Sequence, residues 1–202
     1  MSLPKQSEFF LTPALPIEKV HGALLGAAVG DALGWPQEQN AGRIGNREPI
    51  TGALTFQAWR RRCGGRFQPY EESIGAGEYS DDTQLLLATV RSLLHGEHWA
   101  QYLSHHELPL WLIYERGGGG ATKRAAATWQ RDIKPWSEEN AKQRVRYFEA
   151  GGNGVAMRIL PHVLAYGQTE NQMLRDVIRN GILTHGHPRA LLVLQRGFTP
   201  AG

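Results

Sequence analysis

The stretch SDDTQLLLATVRSLLHG, residues 80–96, decides the fold. Leu85, Leu86, Val90, Leu93 and Leu94 recur at helical spacing up to Gly96, giving a helix with one apolar face. Its start is marked as well. Ser80 is a favoured N-cap, and Asp81 and Asp82 fall in the first turn, where the helix dipole favours acids. The same three residues offer a hydroxyl and two carboxylates in consecutive positions, a donor set that suits Mg²⁺ or Mn²⁺. On these residues alone, capping and metal ligation are both open.

Upstream, GALLGAAVGDALGWPQE (22–38) carries Gly22, Gly26, Gly30 and Gly34 at every fourth position. Each glycine weakens a helix by about 0.5–1 kcal/mol relative to alanine. Four in one stripe therefore point to a close backbone neighbour, and to a buried first helix ending near Trp35-Pro36. Asp31 interrupts this apolar segment, so it either sits near a site or caps a neighbouring backbone. Glu38, just beyond, is a candidate general base or metal ligand, or else one more exposed glutamate.

From Gln37 to Tyr79 no period survives, which reads as a long ordered loop with short elements. Within it Arg60, Arg61 and Arg62 read as a solvated face rather than a phosphate contact. Downstream, an apolar stretch runs from Trp99 to Tyr114, an alanine-rich helix spans roughly Thr122 to Trp129, and Lys134 to Gly152 is polar and partly helical. Val155 to Tyr166 reads as an apolar helix holding Pro161. Thr169 and Gln172 form a capping box for a helix closed by Gly181, and a last helix begins at His187-Pro188. No apolar–polar alternation argues for a sheet. The expected architecture is all-α, with a tail over 1–16 and one domain over 17–202.

Composition narrows the function classes. With 41% hydrophobic and 20% charged residues, the chain has the make-up of a globular domain with a sizeable core. A net charge of +3, without a clustered basic stripe, does not indicate nucleic acid. The single Cys63 excludes an internal disulfide framework and fits a reducing cytoplasm. The N-terminal residues lack a signal-peptide pattern, and the most apolar run, broken by Asp31, falls short of the ~20 residues that cross a bilayer.

Two glycine-rich segments precede helices: Gly117-Gly118-Gly119-Gly120, and Gly151-Gly152-Asn153-Gly154. Backbone N–H groups at such starts attract anions, diphosphates included, although a plain tight turn reads equally well. Neither segment matches a Walker or dinucleotide fingerprint. His185 and His187 have the wrong spacing for zinc, and His105 and His106 read as surface or packing residues.

Taken in order, GALLGAAVGDALGWPQE (22–38), GEYSDDTQLLLA (77–88), RGGGGAT (116–122), GGNGVAMRILP (151–161) and THGHPRA (184–190) resemble the ADP-ribosylglycohydrolase family. The pairing of SDDTQ with GNGVAMR carries most of that likeness. The resemblance implies an all-helical fold with two adjacent divalent cations, Mg²⁺ or Mn²⁺, and hydrolysis at the anomeric carbon of an ADP-ribosyl group. It implies that Ser80, Asp81 and Asp82 are metal ligands, that Glu38 gates or ligates the metals and activates water, and that Asp81 and Asp82 share in catalysis. Gly117, Gly118, Gly119, Gly120 and Ala121, with Gly152, Asn153 and Gly154, match walls of the ADP-ribose pocket, and His185 matches a histidine near the diphosphate. The implied partner is an ADP-ribosylated protein or small molecule. Family members carry a later Asp-x-Asp-Thr element that supplies further metal ligands. This sequence reaches Gly202 without one, so an incomplete domain is expected. A non-catalytic ADP-ribose-binding or structural relative is the alternative.

Overall fold

The computed structural model describes residues 15–40, 55–65, 67–166 and 169–196, with the backbone alone at 38–40 and 193–196. The architecture is all-α with a single β-hairpin among the described residues. The helices are α1 (Ile17–Asn40), α2 (Asp81–Leu93), α3 (Trp99–Tyr102), α4 (Leu108–Tyr114), α5 (Gly120–Trp129), α6 (Ala141–Phe148), α7 (Leu160–Tyr166), α8 (Glu170–Ile182) and α9 (Pro188–Arg196). Strands β1 (Trp59–Gly65) and β2 (Gln68–Ile74) pair antiparallel.

Helix α2 is the axis of the packing. Ser80 caps it, accepting from the Asp82 N–H, and its apolar face enters the core through Leu85, Ala88 and Leu93. These pack with Trp99, Leu103, Leu108, Trp111, Ala126 and Trp129. Burying side chains of this size contributes roughly 1.5–3 kcal/mol each, far above any helix propensity difference. A second cluster, Val155, Ile159, Met173, Val177 and Ala190, joins α8 and α9 to the segment ahead of α7.

Helix α1 departs from expectation twice. It runs past Pro36 to Asn40, because Pro36 is buried and Trp35 packs edge-on against Trp59, with ring centres 5.7 Å apart. Its glycine row does not mark a close neighbour: a Cβ built at Gly22, Gly26, Gly30 or Gly34 meets nothing within 4 Å. Gly22, Gly26 and Gly30 are exposed, as is Leu25, so α1 is not a buried helix among the described residues.

The hairpin lies inside the stretch read as a loop. Its side chains are mostly solvated, so the apolar alternation that betrays a strand is missing. Charge and two anchors hold it instead. Arg61 lies opposite Glu72 and pairs with it at 2.5 Å, Arg60 reaches diagonally to Glu71 at 3.1 Å, and Trp59 and Ile74 are buried at one end. Arg60 and Arg61 thus belong to a cross-strand ladder.

Smaller differences follow from backbone geometry. Pro161 falls in the first turn of α7, where its missing N–H costs nothing, and a short 3₁₀ turn at Ala156–Arg158 precedes it. Thr169 is the N-cap of α8 but makes no side-chain cap bond, and α8 runs past Gly181 to Ile182. No helix among the described residues is long and apolar enough to cross a membrane.

Candidate active site

A cleft of about 370 Å³ opens where three distant segments meet. Helix α1 supplies Gly30, Asp31, Gly34 and Trp35. Helix α2 supplies Asp82, Thr83 and Leu86, and Ala156, Met157 and Leu160 close the third side. These are the segments 22–38, 77–88 and 151–161 of the sequence reading.

Asp31 ties the first two together. Its Oδ1 accepts from the Ser80 hydroxyl at 2.6 Å. Its Oδ2 accepts from the Ser80 N–H at 3.0 Å, the Thr83 N–H at 3.1 Å and the Thr83 hydroxyl at 2.7 Å. The carboxylate therefore caps α2 from another helix, the backbone-capping role foreseen for it, and it also lines the cleft. With Ser80 donating to Asp31 and accepting from the Asp82 N–H, its oxygen keeps one lone pair for any further partner.

Asp81 sits at the helix start, only 3% exposed, with its N–H bonded to the Arg116 carbonyl. Burial first, then the charge of Asp82, then Asp31 and Glu115, push its carboxyl up to about 7. Burial and acid crowding thus outweigh the hydrogen bond from its own backbone that would lower the carboxyl, and a cation beside Asp81 and Asp82 would relieve the crowding. Among the described residues, no three His, Cys, Asp or Glu side chains are grouped closely enough to hold a metal. The side chain of Glu38 lies outside the described residues.

The glycines divide by surroundings. A Cβ at Gly117 would stand 2.2 Å from the Trp35 ring, and Gly117 has φ +90; one at Gly118 would stand 2.4 Å from Trp111. These two let tryptophans approach the backbone. Gly119 and Gly152 face open space, so they are the positions where a ligand could come close. Gly119 is the N-cap of α5 and makes no side-chain cap bond. Gly120 lies under the guanidinium of Arg124, and Ala121 follows in the first turn. Gly154 packs against His185 and Thr122, while Asn153 is exposed at the turn.

His185 is 2% exposed, and its Nδ1 lies 2.7 Å from the Thr184 hydroxyl. Burial, with Arg158 and Arg124 adding positive charge, pushes the imidazole down to about 4, so it is neutral at pH 7. His185 backs the 152–154 turn. His105 and His106 pack on aromatic rings, Trp129 and Tyr102 respectively.

Several residues that build the site carried no assigned role in the sequence reading. Gln84, 6% exposed, accepts from the Trp111 indole and the Arg116 N–H and donates to the Tyr114 carbonyl, pinning the glycine loop to α2. Thr83 completes the Asp31 cap. Arg158 is fully buried, and its signal was available: it is the lone charge in the run Val155–Leu164.

A family model described as ADP-ribosylglycohydrolase matches residues 12–195, and the chain belongs to that family. It is similar to ADP-ribosyl-[dinitrogen reductase] glycohydrolase of Rhodospirillum rubrum, with 30% identity over 172 residues. That alignment takes in 85% of this chain and 52% of the relative, so the chain spans about half of the relative's length.

Proposed function

We propose that this chain carries the cleft of a hydrolase that removes ADP-ribose from a modified protein or small molecule, assisted by Mg²⁺ or Mn²⁺. The observation that carries the reading is the convergence of Asp31, Asp82, Trp35 and Met157 on one cleft, from segments remote in sequence. Asp81 and Asp82 would hold a divalent cation, helped by the free lone pair of Ser80 and by Glu38. Such an ion supplies positive charge for ribose hydroxyls and lowers the pKa of a bound water. The open N–H groups at Gly119, Gly120 and Ala121, and the turn at Gly152, Asn153 and Gly154, would receive the diphosphate. Gly117 and Gly118 would contribute by letting the tryptophans set that loop. Glu38 would take or relay the proton of the attacking water, as a positioned carboxylate does in glycoside cleavage.

A second reading is a non-catalytic ADP-ribose-binding or structural relative. The lack of a complete metal-ligand cluster among the described residues favours it. Calorimetric titration of ADP-ribose, with and without Mg²⁺, into the wild type and an Asp81→Ala/Asp82→Ala variant separates the two. Metal-dependent binding that the variant loses supports the hydrolase. Binding indifferent to both supports a non-catalytic ADP-ribose binder, and no binding by folded protein overturns the hydrolase reading and leaves the structural relative.

A further inference from the structure

Arg158 is fully buried, yet every partner it has among the described residues is neutral. Its Nε donates to Asn180 Oδ1 at 2.7 Å. Nη2 donates to the Asn180 carbonyl at 3.0 Å and to Thr184 Oγ1 at 2.7 Å, and Nη1 donates to the Gly154 carbonyl at 3.3 Å. A cation this deep without a counter-ion is expensive, and burial accordingly pushes it down to about 9. Its bonds have one geometric result: they fasten the turn that ends at Gly154 to the Asn180–Thr184 segment.

The hydrogen-bond count at Thr184 gives the next step. Arginine only donates, so the Thr184 hydroxyl accepts from Arg158 and keeps its own proton to give. The one other polar atom bonded to that hydroxyl among the described residues is His185 Nδ1, 2.7 Å away. An Nδ1–H would have to donate to the second lone pair of the hydroxyl, leaving the buried Thr184 proton without an acceptor among the described residues; with Nδ1 accepting and the ring proton on Nε2, both groups are satisfied. His185 Nε2 has no hydrogen-bond partner among the described residues. It lies against the Gly154 turn, 3.4 Å from where a Cβ on Gly154 would stand, with Thr122 Oγ1 at the same spot.

We infer that Arg158, acting through the Thr184 hydroxyl, is a positioning residue that fixes His185 as the neutral Nε2–H tautomer and so aims one hydrogen-bond donor at the Gly152–Gly154 turn. A donor there receives an acceptor-only group, such as a phosphate or diphosphate oxygen; this ligand class rests on the ADP-ribose reading above. Nearby Arg124 suits the same ligand: its guanidinium folds over Gly120 at the start of α5, and its Nε is buried without an acceptor. A neutral donor selects for position, whereas the charged ring would pull in any anion.

The test is long-range ¹H–¹⁵N NMR of the histidine rings in the ¹⁵N-labelled chain near neutral pH, with His185 assigned by the signals lost in His185→Gln. The expected wild-type pattern is a pyridine-type Nδ1 and a pyrrole-type Nε2. Thr184→Val removes the proton that Nδ1 accepts and should abolish the single tautomer, and Thr184→Ser should restore it. A proton on Nδ1 in the wild type overturns the inference, as does a folded Thr184→Val variant that keeps the wild-type pattern. Should Thr184→Val not fold, the wild-type and Thr184→Ser patterns decide. ADP-ribose titrated into the same samples should bind about tenfold more weakly to Thr184→Val, the effect of one hydrogen bond to a charged group. The expected ring pattern with no ADP-ribose binding by any sample would uphold the relay and overturn the ligand reading instead.

Discussion

Ser80 and Asp31 are joined twice: the Ser80 hydroxyl donates to Oδ1 at 2.6 Å and the Ser80 N–H donates to Oδ2 at 3.0 Å. Thr83 adds two more donors to the same carboxylate. The start of α2, and with it the direction of Asp81 and Asp82, is thus set by a residue on another helix. Asp31→Ala leaves buried donors on Ser80 and Thr83 without acceptors, and should lower stability by about 3–5 kcal/mol. Urea unfolding measures this. A loss below about 1 kcal/mol would mean that water replaces the carboxylate and that the cap is not structural.

The two kinds of glycine in the 117–120 loop predict opposite behaviour. Gly117→Ala drives a methyl into the Trp35 ring at a φ of +90 and should cost about 2–4 kcal/mol. Gly119→Ala adds a methyl in open space and should stay within about 0.5 kcal/mol of wild type. If that loop receives the diphosphate, Gly119→Ala should still weaken ADP-ribose binding by about tenfold, as a blocked backbone contact would. Thermal shift and calorimetry on the two variants check both halves. Equal stability of the pair would contradict the packing described.

How far the sequence could be read followed from where each signal resides. The helix over 81–93 was legible because its apolar period and its cap are local, and the pairing of SDDTQ with GNGVAMR, among five segments in order, pointed to the family. The hairpin was not, because Arg61 opposite Glu72 is a pairing across eleven residues that leaves no alternation in either strand. The glycine row on α1 misled for a related reason: a small-residue stripe shows that approach is permitted, not that a neighbour is there. At the candidate site, Asp81 and Asp82 were readable as types, but the raised carboxyl of Asp81 comes first from its burial in the fold, then from its neighbour Asp82, and then from Asp31 and Glu115. Gln84 and Arg158 do their work through long-range bonds that no local motif announces.

Two buried histidines make the fold sensitive to acid. His162 is fully buried and pushed down to about 3, by burial and then by Arg158; His185 is pushed down to about 4. Both must charge when the chain unfolds, so their contribution is complete above the unfolded value of 6.5 and is lost as pH falls towards the folded values. At pH 5 each should have given up about 2 kcal/mol relative to pH 7. Urea midpoints at the two pH values should separate less in His162→Gln than in wild type. An unchanged separation would show that His162 stays neutral in neither state or in both.

Asp81 acts with the opposite sign, and this makes it the place to look for the cation. Its folded value of about 7 lies above the unfolded 3.8, so the folded state holds the proton more tightly. Without a cation, stability should fall as pH rises from about 4 through 7, by at most about 4 kcal/mol. A divalent ion at Asp81 and Asp82 competes with that proton. Mg²⁺ at a hundredfold excess over its dissociation constant should therefore restore about 2.7 kcal/mol at a pH above 7, and much less near pH 5, where the site is protonated. Asp81→Asn should remove both the falling slope and the Mg²⁺ response, because it discards the charge while keeping the shape. Melting curves across pH, with and without Mg²⁺, give the measurement. A Mg²⁺ response that survives Asp81→Asn would place the ion elsewhere. A falling slope in wild type with no Mg²⁺ response would leave Asp81 a buried acid that this chain does not load with metal.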